Sequence, residues 1–252
     1  MEKLSVVIIT FNEERNIERC IKSVQNIADE IVVLDSFSTD RTQEICESYN
    51  VRFSAHKFDG HIQQKNRALS LAKNEWVLSL DADEAPDDEL LRNIKSALEN
   101  PQAEAYYFNR LTNYLGKWIR HSGWYPDKKL RLLKKSKGRW AGINPHDKIE
   151  MDDGVKTAYL KGDLLHYSYY SIEQHIEQIN KFTTIGAMEA YKKGRKSNIA
   201  IALVKSNWKF IRDYFFKLGI MDGYYGFVIC ALSAWATFNK YLKIRELIRN
   251  DS

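Results

Sequence analysis

The chain has 252 residues, of which 44% are hydrophobic and 28% are charged, and its formal net charge is +5. This balance excludes an intrinsically disordered chain and supplies enough apolar residues for one large domain, or for one domain with an appendage. The three cysteines, Cys20, Cys46 and Cys230, are far apart and odd in number, and they indicate neither a disulfide framework nor a zinc site.

The first apolar run, Leu4–Thr10, is too short for the hydrophobic region of a secretory signal peptide. The basic start and the small-residue cleavage site of such a peptide are also missing from this run. We therefore expect a cytoplasmic protein in a reducing compartment.

The first hundred residues alternate strand-like and helix-like patterns, which predicts an α/β fold with a mostly parallel sheet flanked by helices. Helices are expected where apolar residues recur at helical spacing, as at Ile17, Cys20 and Ile21, and again over residues 61–72. Pro86 is expected to stand at the start of a further helix. Strands are expected where apolar and β-branched residues run together, at residues 4–10, 30–34, 51–55 and 76–80.

Beyond residue 101 the pattern loosens, and two more strands are predicted at residues 105–111 and 128–133. Ser171 and Gln174 have the spacing of a capping box, which predicts that a helix begins there.

The C-terminal region, residues 171–252, is expected to be helical and separate from a domain over residues 1–170. It is basic, with 13 Lys and Arg against 7 Asp and Glu, whereas residues 1–170 have 25 against 26. Basic residues mixed with aromatic ones suit an anionic membrane surface, although nucleic acid would require the same signs of charge. Residues 224–238 are apolar throughout but fall short of the roughly 20 residues that span a bilayer, so a buried or interfacial helix is expected.

Acidic residues follow the strand predicted at residues 76–80. Asp81-Ala82-Asp83 stands at the carboxyl end of this strand, the edge where ligands bind in open α/β sheets. Mg²⁺ and Mn²⁺ prefer carboxylate oxygens and bind through one or two of them plus substrate phosphates. The pattern alone also fits a solvated acidic cluster at a helix start, but the acids that follow Asp83 already suffice to cap that helix.

Two other strand ends carry polar residues. Thr10, Phe11, Asn12 and Glu13 follow the first strand and offer an aromatic face and polar groups to a nucleobase. Asp35 ends the second strand with a carboxylate suited to base or ribose donors. Turn and N-cap chemistry explains several of these residue types about as well.

Four segments in one order resemble the family 2 inverting glycosyltransferases: SVVIITFNE at residues 5–13, VLDSFSTDRT at 33–42, QKNRAL at 64–69 and DAD at 81–83. The resemblance implies a GT-A fold, a nucleotide-diphosphate-sugar donor, expected to be a UDP-sugar, and a Mg²⁺ or Mn²⁺ ion held by Asp83. It places seven residues at the nucleotide sugar: Thr10, Phe11, Asn12, Glu13, Asp35, Lys65 and Asp81.

Two positions depart from the family's pattern. Phe37 stands where Gly is frequent, and Lys65 stands where Arg would grip two phosphate oxygens. Lys65 would therefore act on the phosphate side as a point charge.

The second half of the chain resembles a narrower branch, the small bacterial transferases that act on lipopolysaccharide core or related surface glycans. The basic stretch 128–139, Trp140 and His146-Asp147 match a segment of that branch that ends in His-Glu. We expect Asp147, one methylene shorter than the usual Glu, to be the general base that takes the acceptor's proton. A turn residue is the alternative for Asp147, and a solvated strand face is the alternative for the basic stretch. His166 is a candidate second metal ligand, or a satisfied core histidine.

The sequence therefore predicts a metal-dependent, inverting hexosyltransferase that acts on a glycolipid or oligosaccharide acceptor of the lipopolysaccharide-core type and touches the inner membrane peripherally. A sugar-phosphate nucleotidyltransferase is one alternative, but it would need a Gly-rich loop after the first strand, and residues 10–15 contain no Gly. A basic nucleic-acid- or membrane-binding module without catalysis is the other, and it leaves the acidic cluster unexplained. We expect no nucleic-acid partner.

Overall fold

The computed structural model of the protein describes residues 1–143 and 146–251, and the side chains of all of these except residues 143 and 146. The chain divides into two compact units. The first unit contains Met1–Leu111 and Asp127–Tyr167, and the second contains Thr112–Pro126 and Ser168–Ser252. The turn considered at Asn144 and Pro145 lies outside the described residues.

The division differs from the expected one mainly at residues 112–126, which belong to the second unit. The N–H of Leu115 donates to the carbonyl of Tyr169 at 3.0 Å. Tyr114, which is 0% exposed, packs with Tyr169 and Tyr225 of the same unit. These contacts join residues far apart in sequence, so the sequence pattern could not indicate them.

The first unit contains most of the strands and four short helices. In chain order its elements are β1 (Leu4–Thr10), α1 (Ile17–Val24), β2 (Glu30–Asp35), α2 (Thr42–Glu47), β3 (Arg52–Ala55), α3 (His61–Leu71), β4 (Trp76–Asp81), β5 (Glu84–Pro86), α4 (Asp88–Glu99), β6 (Ala105–Tyr114), β8 (Asp127–Lys134), β9 (Gly138–Ile143), β10 (His146–Met151) and β11 (Thr157–Tyr169), where the last residues of β6 and β11 enter the second unit. A 3₁₀ turn, Lys135–Lys137, precedes β9. This order confirms the predicted α/β class.

The central sheet is mixed. Its strands lie in the order β3-β2-β1-β4-β8-β6-β11-β5, and the first four pair in parallel, as predicted. From β8 onwards the pairings given by the register are antiparallel, so the expected parallel arrangement holds only for the first half. In the parallel half, Thr10 lies opposite Asp35 and Ile9 lies opposite Asp81, which brings the carboxyl ends of β1, β2 and β4 to one edge.

Helices cover both faces of the sheet because side chains alternate along each strand. Val6 and Ile8 of β1 pack in one cluster with α1 and α4, and Val7 between them packs in another with α3. Ile17, Cys20 and Ile21 of α1 are buried at the spacing that the sequence predicted. This is the arrangement expected of a GT-A fold.

The expected helix start at Pro86 is wrong. Pro86 ends the short strand β5, and α4 begins at Asp88 with Asp87 as its N-cap, whose side chain accepts a hydrogen bond from the N–H of Leu90. Pairing with β11, in which Leu164 lies opposite Pro86, takes this segment into the sheet. β5 stands last in the strand order, where a residue without an N–H is tolerated.

The second unit is mainly helical. Its elements are β7 (Lys117–Trp118), α5 (Ile172–Lys192), α6 (Ile199–Ile211), a π-helical turn (Arg212–Phe216), a 3₁₀ turn (Gly219–Asp222) and α7 (Gly223–Asn250). Ser171 caps α5 by accepting from the N–H of Gln174, and the Gln174 side chain accepts from the N–H of Tyr170, close to the predicted capping box.

None of the helices in the described residues is by itself long and apolar enough to cross a membrane. Ile199–Phe216 and Gly219–Asn250 meet that standard of length and composition only as a pair, and they are bent by 71° at their junction. The apolar residues 224–238 lie within α7, which agrees with the expected helix.

Candidate active site

The loops after β1 and β2 hold each other by reciprocal hydrogen bonds. The N–H of Asn12 donates to Ser38 Oγ at 2.8 Å, and the N–H of Thr39 donates to Asn12 Oδ1 at 2.8 Å. Ser38 donates both its N–H and its hydroxyl to the carboxylate of Asp35, which is 2% exposed. The turn chemistry considered as an alternative is therefore present, and it fixes the rim around Asp35.

Two phenylalanines are exposed on this rim. Phe11 is 56% exposed and Phe37 is 59% exposed. Phe37 has a φ of 62°, in the left-handed region that favours Gly, which accounts for the frequent Gly at its position in the family resemblance. A bulky residue held there costs about 1–3 kcal/mol, a strain that is usual at functional sites. Exposed rings at the ligand edge of a sheet are available for stacking on a nucleobase.

Three buried polar atoms near these strand ends have no hydrogen-bond partner within the described part of the chain: Thr10 Oγ1, His56 Nδ1 and Gln64 Oε1. The Gln64 amide donates to Ser36 Oγ at 3.1 Å, the Ser36 N–H donates to the Thr10 carbonyl, and the His56 N–H donates to the Asp35 carbonyl. These bonds place the three residues near the carboxyl ends of β1 and β2. Buried polar groups without partners are rare, so they fit a polar ligand at this place.

Gln64 and His56 were not predicted as site residues. Gln64 opens the QKNRAL segment and is 0% exposed. An uncharged amide on a helix gave no chemical signal of its own, although its place at the start of the QKNRAL segment could have suggested a role.

Glu13 is a half-buried carboxyl group with a displaced pKa. Burial raises the pKa of Glu13 to about 7, with smaller increases from the carboxylates of Asp83, Asp40 and Asp81 and an opposing hydrogen bond from Asn16. The group therefore sits where negative charge already accumulates, and such a site favours a bound cation.

Glu13→Gln should reduce the pH dependence of stability. Because the pKa of Glu13 is higher in the folded chain than in the unfolded chain, the wild type loses stability as pH rises from about 4.5 to about 7. Gln does not titrate, so the free energy of unfolding of the variant, minus that of the wild type, should rise over this range. Urea unfolding in a chelating buffer at about pH 5 and about pH 8 measures it.

The control for that comparison is Glu99→Gln, at the exposed end of α4, which should show no such trend. An equal effect of Glu13→Gln at both pH values would contradict the assignment.

The ammonium group of Lys65 on α3 joins two carboxylates from distant parts of the first unit. Lys65 Nζ lies 2.9 Å from Asp81 Oδ1, at the end of β4, and 2.8 Å from Asp147 Oδ2, on β10. The side chains of Lys65 and Asp147 are only 6% and 12% exposed. Although burial opposes ionisation, Lys65 and Arg131 hold the pKa of Asp81 below its ordinary value. Three of the predicted site residues therefore meet at one point.

The indole ring of Trp140 lies against the ammonium group of Lys65. Lys65 Nζ lies 4.3 Å from the ring centroid, within the range of a cation–π contact. Asn66 Nδ2 donates to the backbone carbonyl of Trp140 at 2.8 Å, and the backbone N–H of Trp140 donates to Asn66 Oδ1 at 3.0 Å. These paired bonds fix β9 against α3, and β10, which pairs with β9, carries Asp147.

A buried pair of charges, Arg131 and Glu84, continues the network, and the sequence did not predict it. Arg131 Nη2 lies 3.1 Å from Glu84 Oε1 and 3.3 Å from Asp81 Oδ2, and the side chains of Arg131 and Glu84 are 5% and 0% exposed. Glu84 Oε2 also accepts from the N–H of Asp81. The expected role of Glu84 in helix capping is therefore wrong, since Asp87 supplies the cap. The available signal was the leucines that flank Arg131 in the basic stretch 128–139.

Lys65→Met should destabilise the first unit by about 3 kcal/mol, because it removes the ion-pair partner of the partly buried Asp147 and leaves Asp81 with Arg131 alone. Urea unfolding at neutral pH measures the loss. Lys161→Met, on the exposed part of β11, is the matched control and should change stability by less than about 0.5 kcal/mol. Equal stability of the two variants would show that the bridge contributes little.

Asp83 and His166 face each other at the same edge of the sheet. His166 Nε2 lies 3.1 Å from Asp83 Oδ2, and the N–H of Tyr167 donates to the Asp83 carbonyl at 2.9 Å. Antiparallel pairing of β11 with β5, in which His166 lies opposite Glu84, brings this distant histidine to the acidic cluster. Although burial opposes ionisation, His166 lowers the pKa of Asp83.

One carboxylate and one imidazole fit part of the shell of a Mg²⁺ or Mn²⁺ ion. Among the side chains that the structure describes, which do not include that of His146, no group of three or more His, Cys, Asp and Glu is arranged to hold a metal ion. A cation at Asp83 and His166 would therefore need further oxygens from water or from a substrate phosphate.

The chain is similar to several known proteins. Residues 5–194 match the model of the family described as Glycosyl transferase family 2. An uncharacterized glycosyltransferase of Rickettsia typhi is 34% identical, over 98% of this chain and 88% of that protein. The lipopolysaccharide core biosynthesis glycosyltransferase LpsC of Rhizobium meliloti is 29% identical, over 96% of this chain and 92% of that protein. Among solved structures, S. aureus TarS is 18% identical with a TM-score of 0.48, over 72% of this chain and 39% of that chain.

Proposed function

Because the chain belongs to glycosyl transferase family 2 and is a glycosyltransferase, we propose that it moves a hexose from a UDP-sugar to a lipopolysaccharide-core or related surface-glycan acceptor, with inversion at the anomeric carbon. The observation that carries the proposal is the bridge of Lys65 between Asp81 and Asp147, because it joins a donor-side carboxylate to a candidate base. The similarity to LpsC along almost the whole chain supports the class of acceptor. Family membership leaves no place for a nucleotidyltransferase or a module without catalysis.

We place the nucleoside of the donor against the rim formed by the loops after β1 and β2. Phe11 offers its exposed ring to the base, and the side chains of Asp35, Gln64 and Thr10 offer polar groups beside it. Asn12 and Glu13 shape the same loop and complete the set of nucleotide-sugar residues.

We place the diphosphate of the donor between Lys65 and the acidic edge of the sheet. Asp83 and His166 would hold a Mg²⁺ or Mn²⁺ ion there, and the bound ion would supply positive charge that stabilises the departing nucleoside diphosphate. Lys65 adds a buried ammonium group to the same phosphates. Asp81 keeps that ammonium group in place before the donor arrives.

In this proposal, Asp147 Oδ2 accepts the proton of the acceptor's hydroxyl group. In the structure this oxygen is held in an ion pair with Lys65 at 2.8 Å. A diphosphate that draws the ammonium group toward itself would release this oxygen to accept the proton of the hydroxyl group. The base would then become effective only when the donor is bound, which limits wasteful hydrolysis of the donor.

Asp83→Asn should remove metal-dependent turnover while leaving the fold intact, because it replaces a carboxylate ligand by an amide of the same shape. We expect kcat/KM for the sugar nucleotide to fall by at least about a hundredfold at saturating Mn²⁺. Asp88→Asn, in the exposed first turn of α4, is the matched control. Turnover by Asp83→Asn at the wild-type rate with the wild-type Mn²⁺ dependence would exclude the metal role.

Asp147→Asn should keep donor binding and lower kcat by about two to four orders of magnitude, the usual contribution of a general base. Calorimetric titration with the nucleoside diphosphate and Mn²⁺ tests binding, and steady-state kinetics tests turnover. Asp153→Asn, an exposed neighbour outside the strand, is the control. An unchanged kcat would move the base to another residue.

For the units, we propose that the first binds the donor and carries out transfer, and that the second provides contacts for the acceptor and for the membrane in which a glycolipid acceptor lies. The second unit contains 15 Lys and Arg against 7 Asp and Glu, which suits the anionic cytoplasmic face of the inner membrane.

A further inference from the structure

Helix α6 turns its small residues inward and its large apolar residues outward. Its buried residues are Ala202 and Ser206. Val204, Trp208 and Ile211, which follow one another at helical spacing, are 66%, 52% and 42% exposed. A helix of a water-soluble surface has the opposite arrangement, so the outward face of α6 is suited to an apolar environment.

The same apolar surface continues around the junction between α6 and α7. Phe216 is 71% exposed, Met221 is 65% exposed and Tyr224 is 66% exposed. They lie where the π-helical turn Arg212–Phe216 and the 3₁₀ turn Gly219–Asp222 bend the chain by 71°. We call the exposed side chains of residues 199–227 the corner surface.

Both acidic residues of the segment 199–227, Asp213 and Asp222, are buried. Asp213 is 1% exposed and forms ion pairs with Lys209 and Arg212. Asp222 is 6% exposed, and its carboxylate accepts hydrogen bonds from the backbone N–H of His121 at 2.9 Å and from neighbouring groups. This surface therefore presents no negative charge outward.

A second group of basic residues stands directly before α6. Lys192, at the end of α5, and Lys193, Arg195 and Lys196, in the connection to α6, are exposed. On the corner surface itself, Lys205 and Lys217 are also exposed. Long basic side chains beside inserted apolar ones can reach the headgroups of a membrane while the apolar ones enter its acyl region.

We propose that the corner surface inserts into one leaflet of a membrane rich in anionic lipid, with Phe216 and Met221 in the acyl region and the basic residues at the headgroups. The inference rests on the proposed membrane association and names its residues and its lipid chemistry. The apolar side chains supply affinity, and the hidden acids with the exposed bases supply the preference for anionic lipid. A bilayer surface matches both features at once, whereas a water-soluble partner would have to provide an apolar patch with an acidic border.

Vesicle sedimentation with the full chain tests the inference. The wild type should bind vesicles of phosphatidylglycerol and phosphatidylethanolamine, bind pure phosphatidylcholine weakly, and be released by high salt or by an alkaline carbonate wash. The double variant Phe216→Ser/Met221→Ser should bind the anionic vesicles at least about tenfold more weakly, because two large apolar side chains no longer enter the leaflet. Phe182→Ser/Met188→Ser replaces the same residue types on α5 and should bind like the wild type.

Far-UV circular dichroism and turnover of a soluble acceptor fragment, both unchanged in the double variant, separate loss of docking from loss of folding. A wild type that binds no vesicles would overturn the membrane association itself. Equal binding by the two double variants would overturn the choice of surface but not the association. Resistance of the bound protein to both salt and carbonate would overturn insertion into one leaflet. If the chain instead formed a concentration-dependent dimer that only Phe216→Ser/Met221→Ser disrupts, and bound no vesicles, the surface would be assigned to a second copy of the chain. None of these outcomes bears on the transfer reaction.

Discussion

The geometry of the candidate active site depends on one buried ammonium group. Lys65 places its ammonium group within 3 Å of both Asp81 and Asp147, and so connects α3 to the end of β4 and to β10. A lysine can occupy so dry a place only if carboxylates neutralise it, and two partly buried carboxylates can approach each other only if a cation separates them. Each of the three groups therefore requires the other two. Arg131 and Glu84 extend the same compensation of charge into the sheet.

This arrangement connects the donor side of the candidate site to the candidate base. In the proposed reaction, the donor's diphosphate competes with Asp147 for Lys65, and Asp83 and His166 would hold a cation whose remaining ligands the phosphates supply. Under that proposal, binding of the donor and release of Asp147 from its ion pair are linked through a single ammonium group. This ammonium group also lies 4.3 Å from the centroid of the Trp140 ring.

Local pattern foretold the first half of the fold well. The strand at Leu4–Thr10 and the helix that begins at His61 are found where they were expected, because buried parallel strands and amphipathic helices are written in neighbouring residues. Pro86 was misread because its strand exists only by pairing with β11. In the site, the motif residues were found by resemblance and the structure brings Lys65, Asp81 and Asp147 together. Arg131, Glu84 and Gln64 were missed because their roles depend on partners distant in sequence, and single residues carry no sign of such partners.

The central claim, that a nucleoside diphosphate and a divalent ion meet Lys65 at this edge of the sheet, is tested most directly by anomalous diffraction from crystals grown with UDP and Mn²⁺. The account predicts one manganese peak within coordination distance of Asp83 and His166, with the diphosphate beside Lys65 Nζ. A manganese peak elsewhere, or a diphosphate remote from Lys65 with its bridge to Asp147 intact, would contradict it.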